Sequence, residues 1–545
     1  MGKFNQIILS VLLTIGIALF APVSHGGVAQ PDIAAIRGDQ SRALFGDGSG
    51  VIVGILDGGV DATHPALQGS MLSARDFSRA GTTDDDRTDV GHGTGIMGIF
   101  LGHDSVNGFT GLAPGAKFVN ARVVNKVDYT NDTLIGNGIG WVVNRGAKVM
   151  NLSLGEPDAK PDLNKLNLML DYVAEKYGTV AVVAAGNENA SAVQGAPNGQ
   201  YNGFTVGATK GTNYDRVTDF SNYSTATDLR TKPDLVAPGQ GVTLATANWE
   251  AGSLYTDQGS GTSFAAPMVG GIVAQMMGYG KAHHLSVSPL TIKAVLMAGS
   301  THVFKNAGGT WVDRHETTTA NGVVIDQALD EEQGAGRVDG VGAYNIYARK
   351  TDKTTLVSNW SLSGLRESGS FSMKLGNLKA GQHVDGALTW FRHVTRKDGG
   401  ASGLDGSDRF TQSASLANFS LTLLLNGKKI VTSDSSWDNL DYLSLDIPRN
   451  GSYSLLVNRL AGSGLTMESF GLAARVSANG TAGSSAQSSL ARANSAALTS
   501  RGAQRSFDPN TGVPEPTGIL AGILITIVAM RRRVKIGRGL RTRPR

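Results

Sequence analysis

Residues 50–65, GVIVGILDGGVDATHP, set the terms on which the rest of the chain is read. An uninterrupted apolar run, Val51–Leu56, stops at an acid, Asp57, followed by two glycines. A strand with one face in water alternates apolar and polar residues; this run does not, so both of its faces must be covered. Further short runs of the same kind follow at Lys117–Val123, Lys148–Leu152, Val180–Ala184 and Phe204–Gly207. Between them Gly93–Leu101, Ile135–Val143 and Leu163–Lys176 read as helices. Fully apolar strands alternating with helices predict an α/β fold, with a mainly parallel central sheet and helices on both faces. Ligand sites of such sheets lie beyond the carboxyl ends of the strands, and Asp57 falls at such an end.

Working outward, Ser286–Ala343 closes the same domain, with a helix at Pro289–Ala298 and a turn at Gly334-Ala335-Gly336. Past Lys350 the pattern changes to alternation, as in Phe419–Leu425 and Tyr453–Val457, which predicts a smaller all-β sandwich over 350–476. The α/β domain is thus expected over 30–349. Residues 477–512, rich in Ala, Ser, Gly and Arg, read as a flexible linker. At the other end Lys3, the apolar run Ile7–Phe20 and the small residues up to Ala29 read as a secretory signal over 1–29, cut after Gly26 or Ala29. An uncleaved anchor is the alternative, and the run falls short of the ~20 residues a spanning helix needs.

Composition excludes several classes. The 545 residues include 72 glycines and 16 prolines in no fixed period, which rules out collagen. Eight of the cationic side chains lie in Arg531–Arg545 with no acid among them, so the formal charge of +4 becomes −4 without that tail. The body is mildly acidic, and the charge gives no ground for a nucleic-acid partner. With no cysteine, thiol catalysis, zinc–thiolate sites and disulfides are all out.

Two more short motifs join Asp57. His92 opens a helix in Gly91-His92-Gly93-Thr94-Gly95, and Ser263 opens another in Gly261-Thr262-Ser263-Phe264-Ala265-Ala266-Pro267. Taken singly, an acid at a strand end or a serine before a helix is a turn or a cap. Together they offer what acyl transfer needs: a nucleophile, a base to take its proton, and a carboxylate to hold the base in one tautomer. Ser263 at a helix N-terminus would set a backbone N–H and the positive helix end beside a developing oxyanion. Pro267 is expected in the first turn, where a missing N–H costs little.

The order Asp, His, Ser and these motifs resemble the subtilisin family over about residues 40–345. Further matching segments are Asn151-Leu152-Ser153-Leu154-Gly155, Ala184-Ala185-Gly186-Asn187, Phe220-Ser221-Asn222-Tyr223 and Lys232–Gly239. The resemblance implies a serine endopeptidase acting on protein or peptide substrates, with Asp57, His92 and Ser263 as its triad. It implies Asn187 as oxyanion donor, and Ser153, Leu154 and Gly155 as the backbone edge along which substrate pairs. It implies no cofactor for the chemistry, but structural calcium occurs in the family. Asp84, Asp85, Asp86 and Asp89 offer carboxylates for it, with a solvated acidic loop as the other reading; no metal ligand is assigned. A non-catalytic surface or matrix protein on the same scaffold is the alternative function.

Three features depart from the family pattern. Gly58 stands where a hydroxyl residue usually follows the Asp, removing one group that would brace the carboxylate. Met97 replaces a small residue on the His helix. Only about twenty residues separate the signal from Gly50, so folding without an N-terminal propeptide is expected.

Val513-Pro514-Glu515-Pro516, the apolar run Thr517–Met530 and Arg531-Arg532-Arg533 resemble the PEP-CTERM sorting signal of Gram-negative bacteria over 513–545. That resemblance implies transient membrane retention with the arginines cytoplasmic, cleavage by an exosortase-type enzyme, and release to the cell surface or medium; a simple anchor is the alternative. Gly136-x-Gly138-x-Gly140 does not follow a strand and reads as a glycine-rich helix face rather than a nucleotide loop. Arg37-Gly38-Asp39 is read as chance, His283-His284 as an exposed helix end, and His64 as structural.

Overall fold

The computed structural model describes residues 28–84, 91–157, 163–188, 195–225, 230–303, 317–320, 323–326, 329–352, 355–400, 403–413, 415–461 and 464–478. The expected signal peptide up to residue 27, nearly all of the linker and the whole Pro-Glu-Pro segment lie outside them. Among the described residues no helix is long and apolar enough to cross a membrane.

The apolar runs become the parallel strands of one sheet, in the order Met71–Asp76, Lys117–Arg122, Ile52–Asp57, Val149–Leu152, Val180–Ala184 and Phe204–Lys210. Leu235–Pro238 pairs in parallel with Phe204–Lys210, and the short Arg216–Val217 closes that edge antiparallel. Alternate residues serve opposite faces. Val53 and Ile55 join the core under the helices His92–Leu101 and Thr262–Ala282, whereas Leu56, Met150 and Leu152 join a second core under Asp132–Asn144 and Lys165–Tyr177. That is why these runs do not read as half-polar; the edge strand Met71–Asp76, none of whose residues is buried, is not among them. The sheet grows away from Ile52–Asp57 in both directions, so Asp57 ends the strand at the point where the connections diverge and leave a crevice.

The β-rich region forms two four-stranded antiparallel sheets. One runs Thr355–Leu365, Glu468–Ser477, His383–Trp390, Leu440–Asp446; the other runs Ser370–Leu378, Gly451–Ala461, Asn418–Leu425, Lys428–Ser433. Trp390, Phe419, Leu421, Leu455 and Phe470 fill the space between them. The fold is therefore a parallel α/β sheet covered on both faces, followed by a smaller β-sandwich.

Two features of the junction were not anticipated. Helix Pro289–Gly299 is buried along its whole length, because the sandwich covers the side that the α/β core does not. Thr389 Oγ1 donates to Leu290 O at 3.0 Å, and Arg475 donates to Gly299 O and Ser300 O at 3.0 and 2.8 Å, serving carbonyls that the helix end leaves without partners. After strand His383–Trp390 the segment 391–413 leaves the two sheets of the sandwich, keeping a link to them through His393 and Glu468. Its hairpin, Val394–Lys397 with Arg409–Gln412, adds Val394, Leu404 and Phe410 to the core under Asp132–Asn144. The glycine face of that helix is what admits it: a Cβ at Gly136 would lie 2.7 Å from Gly406 Cα, and one at Gly140 would overlap Leu404 O.

Candidate active site

Asp57 is buried at the end of the central strand. Its Oδ1 accepts the Gly58 N–H at 2.7 Å, so the backbone supplies a donor where the expected hydroxyl is missing. Both carboxylate oxygens lie 3.0 Å from His92 Nδ1. With Nδ1–H donating to the carboxylate, the tautomer assigned from these partners leaves Nε2 as the basic nitrogen. His92 is the first residue of its helix, and a side chain at Gly93 would overlap Gly59 O, so the close approach of helix and Asp57 loop requires that glycine. Thr94, two residues after His92, fixes the same loop by accepting the Asp61 N–H at 2.9 Å. Met97, large where a small residue was expected, is fully buried in the core on the far side of the helix from solvent.

The imidazole packs against Phe264, ring centroids 5.6 Å apart, which puts His92 beside the start of helix Thr262–Ala282. Gly261 turns the chain into that helix at φ +149°, a conformation closed to side-chain-bearing residues. Ser263 is the second residue of the helix and half-buried; its Oγ lies 3.4 Å from Ser153 O.

Pro267 is the sixth residue of the helix, not part of its first turn. Its missing N–H is the one that would have bonded the Ser263 carbonyl four residues earlier. Ser153 Oγ donates to that carbonyl instead, at 2.7 Å, and is itself held by Asn151 Nδ2 at 3.0 Å. The proline thus converts an internal helix bond into a link between the expected nucleophile and the expected substrate edge.

Asn187 Oδ1 accepts from both Thr262 N (2.9 Å) and Thr262 Oγ1 (3.0 Å). With the amide oxygen so engaged, Nδ2 is the free-facing donor: it and Ser263 N each lie 3.7 Å from the point a Gly261 Cβ would occupy, and Ser263 Cβ lies 3.8 Å from it. Two N–H donors therefore border one small space beside the Ser263 side chain. The loop carrying Asn187 is pinned on both sides. Gly186 N donates to Thr262 Oγ1 (3.1 Å), Asn198 Nδ2 to Ala185 O (2.7 Å), Asn222 N to Gly186 O (3.1 Å) and Glu188 N to Asn222 Oδ1 (2.9 Å), while Asn222 Nδ2 reaches the Glu188 carboxylate. Sequence reasoning gave Thr262 and Asn222 no role of their own; both sit inside motifs it had quoted, and that membership was the available signal.

Ser153, Leu154 and Gly155 run on from the strand Val149–Leu152. Among the described residues their backbone groups have no backbone partner. Gly155 is exposed and Leu154 leans on the second core.

His64 is fully buried, its Nε2 donating to Leu254 O at 3.0 Å and its Nδ1 accepting from Ala66 N at 3.1 Å; burial pushes its pKa down, so it is a neutral bracing group. Of the acidic run considered for calcium, only Asp84 belongs to the described residues.

The profile described as "Subtilase family" matches residues 48–336, more than half of the chain and ending before the sandwich. The thermophilic serine proteinase of Bacillus sp. (strain AK1) is 33% identical over 235 residues, 43% of this chain and 53% of that protein. The intracellular serine protease of Paenibacillus polymyxa is 34% identical over 240 residues, 42% of this chain and 66% of its own. Thermitase of Thermoactinomyces vulgaris is 31% identical over 239 residues, 43% of this chain and 77% of its own. The match thus spans about half the length of the first of these relatives and about three quarters of the third.

Proposed function

The chain belongs to the subtilase family, and from that premise we propose that it is a serine endopeptidase that cleaves protein or peptide substrates through an acyl-enzyme. The observation that carries the reading is the Asp57–His92 pair, both oxygens at 3.0 Å from Nδ1, set beside a serine whose N–H and the Asn187 amide border one space.

Substrate lies along Ser153–Gly155 as an added strand, using backbone groups that have no other backbone partner among the described residues. His92 Nε2 takes the Ser263 proton as Oγ attacks the scissile carbonyl, and Asp57 stabilises the imidazolium that forms. The carbonyl oxygen, now negative, meets Ser263 N–H and Asn187 Nδ2. His92 then hands its proton to the leaving amine, and the acyl-enzyme is released by water that the same imidazole deprotonates. No metal or organic cofactor enters these steps; calcium, as in other family members, would be structural.

The same proposal places the protein outside the cytoplasm of a Gram-negative bacterium. What supports this is sequence alone: the apolar N-terminal segment, and the Pro-Glu-Pro, apolar and arginine-rich order of 513–545. On this reading the C-terminal segment holds the chain in the membrane until an exosortase-type enzyme removes it.

The test is covalent labelling of the full chain with a fluorophosphonate, wild type beside Ser263→Ala. Labelling of the wild type alone is expected. A folded wild type that does not react would return the weight to a non-catalytic surface protein.

A further inference from the structure

Strand His383–Trp390 sits between Leu440–Asp446 and Glu468–Ser477, and its register decides what surrounds its first residues. His383 and Asp385, two apart, share a face. Opposite them stand Asp446 and Ser444 on one side, and Arg475 faces Asp385 from the other. The face they share is turned toward the α/β domain, where His302 arrives just after helix Pro289–Gly299.

Three ligand atoms converge there: His302, His383 and Asp385 each offer one, and all lie within 4.8 Å of one another. His383 Nε2 and Asp385 Oδ1 are 3.3 Å apart, the edge length of about 3.3 Å that ~2.05 Å bonds to a tetrahedral zinc ion require. Between the three sits Ser444 Oγ, 2.8 Å from His302 Nε2, 3.0 Å from His383 Nε2 and 2.9 Å from Asp385 Oδ1. At hydrogen-bond distance from all three, the hydroxyl stands near the fourth corner of a tetrahedron whose other corners are the two imidazole nitrogens and the carboxylate oxygen.

The surroundings are those of metal ligands. His383 Nδ1 is 2.7 Å from Asp446 Oδ1, the carboxylate–histidine pairing that fixes the ring with Nε2 toward a metal. The other Asp385 oxygen is taken by Arg475 Nη2 at 2.8 Å and Nε at 3.3 Å, which orients the carboxylate so that Oδ1 faces the histidines; Tyr442 OH lies 3.4 Å from Oδ1. His383 and Asp385 are both buried, so water competes little.

We propose that His302, His383 and Asp385 form a structural site for a divalent transition-metal ion of the zinc class, with the Ser444 hydroxyl or a water as fourth ligand. Two imidazoles and one carboxylate suit zinc rather than calcium or magnesium. The ion staples the end of the α/β domain to the sandwich, since one histidine comes from each. A proton on His383, held between Asp385 and Asp446, is the competing occupant of the same space, and it takes up no metal.

The experiment uses the full chain carrying Ser263→Ala, so that no self-digestion intrudes and the outcome does not depend on peptidase activity. The protein is stripped with a chelator, dialysed against zinc alone, desalted and assayed for metal. One zinc per chain is expected in this parent, with a rise in Tm on zinc addition. His302→Gln, at the half-buried ligand, should keep the zinc-free Tm and circular dichroism of the parent while losing both effects. Asp446→Asn, which keeps all three ligands, should weaken zinc about 10–100-fold. Cobalt in place of zinc should give the intense visible bands of a tetrahedral ion in the parent and not in His302→Gln. A folded parent that retains no zinc overturns the proposal, as does a His302→Gln variant that retains as much as the parent.

Discussion

At the carboxyl ends of the parallel strands, the polar groups of the proposed active site are left partly open: Asp57 is buried, but the His92 side chain keeps 26% of its surface in solvent and Ser263 is half-buried. At the junction between the α/β domain and the sandwich, the charges are sealed in. Asp234 is fully buried with Lys232 Nζ at 2.8 Å and Lys293 Nζ at 3.0 Å, and Lys293 also donates to Tyr201 O at 2.8 Å. Burial alone would raise the Asp234 pKa, and the two ammonium groups reverse this and hold it below the ordinary carboxylate range. Asp438, from the sandwich, lies buried in the field of the same cations, its pKa raised by that burial. The backbone of 153–155 has no backbone partner among the described residues, the capacity that a substrate strand would use on the proposed reading; the junction instead pairs its buried charges with one another. A substitution in the cleft should therefore cost rate and little stability, and one in the junction the reverse.

The sharpest break on the cleft side is Ser263→Ala. Loss of the nucleophile should lower kcat by on the order of 10⁶, a magnitude borrowed from subtilisin rather than derived from this site. Urea unfolding should be displaced by less than about 1 kcal/mol, since among the described residues Ser263 Oγ makes just the long bond to Ser153 O. A large stability change would mean that Ser263 is part of the framework and the contrast is false.

The corresponding break at the junction is Asp234→Asn. It leaves Lys232 and Lys293 buried around a neutral amide, which should destabilise by about 3–5 kcal/mol in urea titration. The fraction that remains folded at low temperature should label with fluorophosphonate as fast as the wild type. Slower labelling per folded molecule would show that the junction charges reach the site.

Asn187→Ala sharpens the comparison inside the cleft. On the proposed mechanism it removes one of two oxyanion donors and should lower kcat ~10²–10³-fold with KM little changed. It also frees Thr262 N and Oγ1, so a parallel rise in KM would indicate that the loop has shifted rather than that a donor was lost.

These two regions also differ in how far the sequence reveals them. Asp57, His92, Asn187 and Ser263 each sit in a short motif whose glycines and small residues make the local turn, so the sequence singles them out without knowledge of what they touch. Helix and strand limits came within a few residues for the same reason. The junction obeys no local rule. Gly136, Gly138 and Gly140 lie on a helix as read, but not on one face: Gly138 packs on Leu56 and Val123 of the sheet side, and nothing near Gly136 and Gly140 says that Gly406 and Leu404 cover them. Trp360, Ala387, Leu440, Tyr442 and Ala473 alternate as sandwich residues should, yet they belong to the α/β core. Pro267 shows the same limit at one residue: its position in the helix was misjudged, and the consequence, a carbonyl passed to Ser153, depends on a segment more than a hundred residues earlier.

The smallest expected effect tests whether charge pairing at the junction has a pH signature. His393, on the segment that crosses back to the α/β domain, lies with Nδ1 3.2 Å from Glu175 Oε2 and Nε2 2.9 Å from Glu468 Oε2. Lys176 takes the other Glu175 oxygen at 2.7 Å, so the imidazole is flanked by two acids of which one is shared with a lysine. Burial works against the imidazolium, but the two carboxylates outweigh it and push its pKa up to about 9. The unfolded chain has an ordinary value near 6.5. A folded pKa above the unfolded one means that the stabilisation is complete below about pH 6.5 and is lost as pH rises through about 9. With solvent screening allowed for, it should amount to about 1–2 kcal/mol. His393→Gln keeps hydrogen-bonding capacity but cannot take the charge. The stability difference between wild type and variant, from urea midpoints at a series of pH values, should be largest near pH 6 and shrink toward pH 9.5. A difference that stays constant across that range would mean His393 holds the segment as a neutral hydrogen-bonding group, and the sealed charges at this junction would then end at the Asp234 cluster.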